Sequence, residues 1–252
     1  MGLSLWIVPD VATADKLQHV MKIRPPGYDA AQKGSSERKN ISYPTFYPHI
    51  TLASLPEAME HDLDTVEAAL PLERVASEAS GLAPPIDVNL NPSEPIVCTF
   101  AAVETGNVYY RSVYVAIALS ESQSPGLAAL HAQVHAKLDV PIKTPAFPHM
   151  SLVYIDEGDA LDENGEESRA ERKRYYDTLV SRNVWRMMDE KPNTGPDPRF
   201  GLDTSVVSND DIVDAESSAS LKCINHFVAH EVWAVRCVGP VESWVVLRRW
   251  FL

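Results

Sequence analysis

The spacing of apolar positions changes repeatedly along the chain, and each change marks an element. Leu3–Val8 (LSLWIV) is a short β-compatible run closed by Pro9, and Leu17, Val20 and Met21 then fall at helical spacing. Arg24–Pro44 carries Pro-Pro-Gly and little apolar content, which predicts a loop. Phe46–Leu55 predicts a strand entered after Pro48. Met59, Leu63, Val66 and Leu70 predict a helix up to Pro71, with Glu57 at its positive end. The middle is strand-rich: Ile86, Val88 and Leu90 alternate, and Ile96–Glu104 and Val108–Leu119 flank Thr105-Gly106-Asn107, a hairpin-turn signal. Ser124-Pro125 opens a helix whose stripe is Leu127, Leu130, Val134 and Leu138. Phe147–Ile155 predicts another strand, and the acidic loop Asp156–Glu167 leads into a long helix through Met188. Lys191–Ala219, rich in Pro, Gly, Ser and Asp, reads as an irregular insertion. Glu231–Val238 and Glu242–Phe251 read as a closing hairpin about Gly239-Pro240. Helices alternate with strands but short hairpins intervene, so the expected class is α+β with largely antiparallel sheets.

One pattern recurs. Tyr47-Pro48-His49-Ile50-Thr51-Leu52 is answered one hundred residues later by Phe147-Pro148-His149-Met150-Ser151-Leu152. Both copies read aromatic, Pro, His, large apolar, hydroxyl, Leu, and both lie on an expected strand after a helix. A duplicated lobe related by a pseudo-two-fold is therefore expected. On a strand, residues i and i+2 share a face. His49 thus goes with Thr51 and His149 with Ser151, while Ile50, Leu52, Met150 and Leu152 point into the core. Two such strands brought together line a cleft with two imidazoles and two hydroxyls. That set suits in-line hydrolysis of a strained phosphodiester. One neutral His takes a proton from the attacking water, and the other, protonated, delivers one to the leaving oxygen; an unperturbed pKa of about 6.5 suits both tasks. The hydroxyls donate hydrogen bonds to the non-bridging oxygens as charge builds. The scheme requires no metal and no cofactor.

Composition narrows the partners. The chain has 252 residues, 45% of them hydrophobic, enough for one large domain or two intimate lobes. Lys and Arg number 22 against 35 Asp and Glu, a net charge of −13. Long nucleic acids are held mainly by Lys and Arg on phosphates, so they are unsuited as partners. The three cysteines form no CxxC pair, which argues against a disulfide scaffold or a cysteine-rich zinc site and fits a reducing compartment. Met1–Asp10 has no basic leader and no cleavage site, and no apolar run approaches the ~18 residues of a spanning helix. A soluble protein without a membrane partner, cytoplasmic or otherwise intracellular, is expected.

The forms PHITL and PHMSLVY, with the N-terminal SLW strand and the Trp-rich C-terminal hairpin, resemble the signature of the two-histidine (2H) phosphodiesterase superfamily. The closest resemblance is to its cyclic nucleotide phosphodiesterase branch from fungi and plants. The resemblance implies a single bilobal domain over residues 1–252, with motif-bearing lobes around 40–70 and 125–155. Each lobe would be a small antiparallel sheet with helices outside and a groove between. It implies opening of 2′,3′-cyclic nucleotides to 2′-phosphates, and of ADP-ribose 1″,2″-cyclic phosphate, a by-product of tRNA splicing, to ADP-ribose 1″-phosphate. His49 and His149 fall on the catalytic positions and Thr51 and Ser151 on the phosphate-binding ones. Tyr154 matches a tyrosine that contacts the phosphate in plant relatives. Simple alternation would turn Tyr154 toward the core, so that match needs a twist or bulge at the strand end. The 191–219 insertion departs from the compact plant pattern. The expected partner is a small nucleotide substrate, with the protein a monomer. Two other readings stay open: a 2H enzyme acting on RNA ends or 2′,5′-oligonucleotides, and a catalytically silent nucleotide-binding module.

Other chemistry-bearing residues carry weaker patterns. His131 and His135 stand at i, i+4, a spacing that can hold zinc. With no third ligand nearby, they read as a solvated or groove-edge helix face. His19, His61, His226 and His230 show no pattern. Trp233, Trp244, Trp250, Tyr109, Tyr110 and Tyr114 read as core aromatics. The acidic Asp156–Glu171 run lacks the ligand order of a calcium loop and reads as a solvated loop and helix start.

Overall fold

The computed structural model describes residues 2–28, 42–72, 95–138, 147–156, 169–187, 200–204 and 223–252. The alternation at Ile86, Val88 and Leu90, most of the Arg24–Pro44 and Asp156–Glu167 loops, and most of the 191–219 stretch lie outside the described residues. β1 (Leu3–Pro9) and α1 (Val11–Met21) form as the pattern requires, and Asp10 caps α1 by accepting the Thr13 N–H at 3.0 Å. β2 (Ile50–Leu55) is followed by a 3-10 turn, Glu57–His61, and by α2 (Leu63–Ala69). The one helix expected there is broken at Asp62, whose carboxylate caps α2 through the Thr65 N–H. The remaining elements are β3 (Val97–Val108), β4 (Arg111–Ile117), α3 (Leu127–Leu138), β5 (His149–Val153), α4 (Arg169–Ser181), β6 (Trp185–Met187), β7 (Phe200–Asp203), β8 (Cys223–Ile224), β9 (His226–Arg236) and β10 (Val245–Phe251).

Several expectations change. The chain reverses between β3 and β4 at Tyr109-Tyr110, not at Thr105-Gly106-Asn107. Gly106 sits instead in an irregular stretch of the ladder, where a Cβ would collide with the Arg111 carbonyl oxygen. The missing Cβ that makes glycine a turn signal here permits close backbone approach. α4 ends at Ser181, not Met188, because Asn183 adopts a left-handed φ of 54°. The Val184 and Asn183 N–H groups return to the carbonyls of Leu179 and Val180 at 2.8 and 3.0 Å, the paired bonds of a Schellman cap. The 191–219 stretch is not wholly irregular, since β7 lies in it, paired with β6 and β8 in a three-stranded antiparallel sheet. Ser124 does not cap α3; it is fully buried, and its Oγ accepts the Thr99 N–H at 3.0 Å.

The large sheet is antiparallel and seven-stranded, in the order β1-β2-β5-β4-β3-β9-β10, with β1 also paired to β9. The β2-β1-β9-β10 and β5-β4-β3 groups meet twice, at the motif strands through the single pair Ile50–Met150 and where β3 joins β9 at Val97–Val228, Cys98–Phe227 and Thr99–His226. Leu3, Leu5, Ile7, Ile50, Leu52, Met150 and Leu152 turn to the main core, which they share with Leu17 of α1, Leu130 of α3 and Tyr175 of α4. Each large apolar side chain buried there contributes ~1.5–3 kcal/mol. A one-residue slip of either motif strand would send its histidine into that core, so the register is strongly fixed. The other face of β1 and β9 carries a second apolar cluster: Trp6, Val8, Trp233, Val235 and Cys237.

The two halves also share a detail of their ladders. Along β1 and β2, Leu5 faces Ala53 and Trp6 faces Thr51, which leaves Leu52 as an extra residue. Along β4 and β5, Val113 faces Val153 and Tyr114 faces Ser151, which leaves Leu152 extra. Each copy of the repeat is therefore bulged at the same Leu. The facing strands correspond as well: Ser4-Leu5-Trp6-Ile7 on β1 matches Ser112-Val113-Tyr114-Val115 on β4.

Candidate active site

β2 and β5 run antiparallel about Ile50 and Met150, so their neighbours cross: His49 lies toward Ser151 and Thr51 toward His149. Ile50 and Met150 are fully buried on the core face, and the four polar side chains project from the opposite one. The two imidazoles occupy a diagonal of this arrangement, for which backbone separations run ~7–8 Å.

Their surroundings differ. His49 Nδ1 is 2.7 Å from the Tyr47 carbonyl oxygen, so Nδ1 carries the donated proton and Nε2 is left for chemistry. The ring lies flat on the Trp6 indole, 3.6 Å between centroids and 9° between planes, with Phe46 edge-on at 6.1 Å. Trp6 is held in turn by Nε1 donating to Ser4 Oγ at 3.1 Å. Only 6% of His49 is exposed. Burial lowers its pKa from 6.5 to about 4, with the Tyr47 carbonyl opposing the shift and His149 adding to it. At neutral pH, then, His49 is uncharged. His149 is half-buried. Its ring meets Tyr114 edge-on at 5.2 Å, and the Tyr114 hydroxyl donates to Glu104 Oε2 at 2.6 Å. Burial and then that hydrogen bond push the Tyr114 hydroxyl up to about 12. Trp6 and Tyr114 hold equivalent repeat positions, yet one covers its histidine and the other leaves it open.

The hydroxyls also differ. Ser151, 5% exposed, donates to the Tyr110 carbonyl oxygen at 2.7 Å. Thr51 is half-buried, and its hydroxyl has no hydrogen-bond partner among the described residues. Tyr154 does reach this face, because the bulge at Leu152 puts Val153 opposite Val113 on the core side and returns Tyr154 to the side of Ser151. The Tyr154 hydroxyl and the Ser151 side chain are hydrogen-bonded, and burial raises the phenol's pKa. Its ring stacks on Phe46 at 4.1 Å and lies 5.4 Å from Tyr110 and 6.4 Å from Trp244.

Several aromatics read as core belong to this site. Trp233 and Trp250 are buried, but Tyr110, Tyr114 and Trp244 are half-buried. Trp244 stands 5.8 Å from both Trp6 and Tyr110. The echo of Ser-Leu-Trp in Ser-Val-Tyr is the signal that points to Trp6 and Tyr114 as a pair. His131 and His135 are not on a solvated face, because α3 packs them against Phe147 at the entry to β5 and Leu52 within β2. His131 stacks on Phe147 at 3.9 Å, and buried His135 places Nε2 3.2 Å from the Leu52 carbonyl oxygen. Burial, then His135, lowers His131 to about 4.

Among the described residues, no three His, Cys, Asp or Glu side chains gather as a metal site, and no helix is long and apolar enough to cross a membrane. Cys98, Cys223 and Cys237 are free thiols. No curated protein matches the chain. A family model described as cyclic phosphodiesterase-like protein matches residues 1–252. Both His-x-[Ser/Thr] motifs and both bulged strands fall inside that match, and the chain belongs to the cyclic phosphodiesterase-like family.

Proposed function

We propose that the protein is a 2′,3′-cyclic-nucleotide 3′-phosphodiesterase. It forms 2′-phosphates, and opens ADP-ribose 1″,2″-cyclic phosphate by the same chemistry, with no metal. The observation that carries this reading is the crossed quartet of His49, Thr51, His149 and Ser151 on one face about the Ile50–Met150 pair. Inequality of the two imidazoles supports a division of roles. His49 is the base: it is neutral, and its Nε2 lone pair is free because Nδ1–H is held by Tyr47. Water attacks phosphorus in line with the 3′-oxygen and gives its proton to His49 Nε2. The P–O3′ bond breaks as His149 protonates the leaving oxygen. A bound phosphate's negative charge raises the pKa of buried His49 and so strengthens it as a base. Thr51 donates to one non-bridging oxygen as it stands, and Ser151 does so after turning from the Tyr110 carbonyl. Tyr154, hydrogen-bonded to Ser151, steadies that second donor.

The test is hydrolysis of 2′,3′-cyclic AMP and ADP-ribose 1″,2″-cyclic phosphate side by side, with the products identified. A general acid or base contributes ~10²–10⁴-fold. His49→Ala and His149→Ala should therefore each lower kcat/KM at least ~10²-fold with unchanged circular dichroism, while a chelator leaves the wild-type rate unaltered. Near-normal turnover by either variant removes the mechanism. A preference for 2′,5′-linked oligonucleotides over mononucleotides redirects the substrate assignment.

A further inference from the structure

A cavity of about 950 Å³ is lined by the second half of β3, the first half of β4 and α4, a size typical of ligand clefts, which run ~300–1,000 Å³. The charges around it are unevenly satisfied. Lys173 is ion-paired with Asp177, Glu104 accepts the Tyr114 hydroxyl, and Arg172 donates to the carbonyl oxygens of Gly106 and Ile155. Arg111 Nε, like Arg172 Nε, is buried with no acceptor, but the Arg111 side chain, unlike that of Arg172, makes no hydrogen bond or ion pair among the described residues. Its guanidinium sits over the Tyr114 ring, 5.8 Å from the centroid. On a chain of net charge −13, a cation left without a carboxylate inside a cavity is where an anionic group belongs. A guanidinium fork matches phosphate oxygens in geometry and charge.

The place of this cavity gives the anion its source. Tyr114 is a wall of the cavity and also the ring that meets His149 at 5.2 Å. One phenol ring therefore separates the unpaired guanidinium from the imidazole expected to protonate the leaving oxygen. We propose that the cavity is a second anion subsite: it receives a phosphate that the substrate carries apart from the scissile diester, and Arg111 selects substrates bearing one. This inference rests on the proposed phosphodiesterase reading and adds to it a preference among cyclic nucleotides.

The experiment compares adenosine 2′,3′-cyclic phosphate with the same compound carrying a 5′-phosphate, using wild type, Arg111→Met and Arg111→Lys. Loss of a charge-assisted contact to phosphate is worth roughly tenfold or more in binding. Wild type should show a KM about tenfold lower for the 5′-phosphorylated compound. Arg111→Met should bring the ratio of the two KM values to about one, and Arg111→Lys should restore part of it. A second arm needs no turnover: calorimetric titration of His149→Ala, alone and combined with Arg111→Met, with the same two compounds and with inorganic phosphate. A tenfold difference in Kd that Arg111→Met removes supports the subsite even if neither compound is hydrolysed, in which case the phosphodiesterase reading fails by itself. Equal affinities for both nucleotides overturn the subsite. So does Arg111-dependent binding of inorganic phosphate without discrimination between the nucleotides, which marks a free-anion site.

Discussion

Burying an uncharged His49 makes the fold sensitive to mild acid. The ring's pKa is about 4 in the folded protein against 6.5 for an exposed imidazole. Between those values the unfolded chain binds a proton that the folded chain does not. The stability this group contributes is therefore present above pH ~6.5 and lost as pH falls toward about 4. At ~1.4 kcal/mol per pH unit the whole effect is roughly 3 kcal/mol, of which about 1.4 kcal/mol is gone by about pH 5.5. That pH lies above the isoelectric point of about 5.0, so the measurement avoids the region of lowest solubility. The assay is urea unfolding of wild type and His49→Gln at steps from about pH 7.5 to about pH 5.5. His131, also depressed by burial, titrates in both proteins and drops out of the difference. The wild type should lose about 1.3 kcal/mol more than the variant over this range. The two imidazoles interact, so the difference belongs to the pair. Parallel stability curves would show that folding does not lower the His49 pKa, and the assignment of the base would go with it.

Two further substitutions probe the framework. Trp6→Leu removes the indole that covers His49; the His49 pKa, followed by its ring-proton resonances, should rise by a unit or more toward ~6.5, and an unmoved titration would show that the stack does not govern it. Ser112→Ala deletes a fully buried hydroxyl that accepts the Ile155 N–H at 2.9 Å and donates to the Tyr109 carbonyl at 2.8 Å. It should cost about 1–3 kcal/mol in thermal unfolding, and an unchanged midpoint would mean the strand after the bulge is anchored elsewhere.

What the chain discloses on its own follows from how local each cause is. The faces of the motif strands are legible because Ile50, Leu52, Met150 and Leu152 set the core side by alternation, and the polar partners follow. Tyr154 is legible only as a condition, since a bulge depends on where Val113 and Tyr114 pair, which no residue of β5 encodes. The Trp6 stack is hidden for the same reason, because it comes from the β1–β2 register. The end of α4 at Ser181 is hidden behind an expected helix through Met188, because Asn183 tolerates a left-handed φ but does not require one. Gly106 misleads because one property, absence of Cβ, serves both turns and close ladders. His131 and His135 mislead because imidazole is polar in composition yet buries well, one nitrogen on a carbonyl and the ring on an aromatic.

The paired bulges bear on how relatives of this chain can be aligned. In an unbroken strand, residues lining one wall share odd or even numbering, as His149 and Ser151 do; Tyr154 breaks that parity, and Leu152 is the residue that absorbs the change. A relative lacking one residue there would keep Ser and Tyr on the same wall, merely straightening the strand. The distance from the hydroxyl to the phenol can thus shift by one in a homologue with its cleft lining preserved, and an alignment demanding fixed spacing would discard a true counterpart.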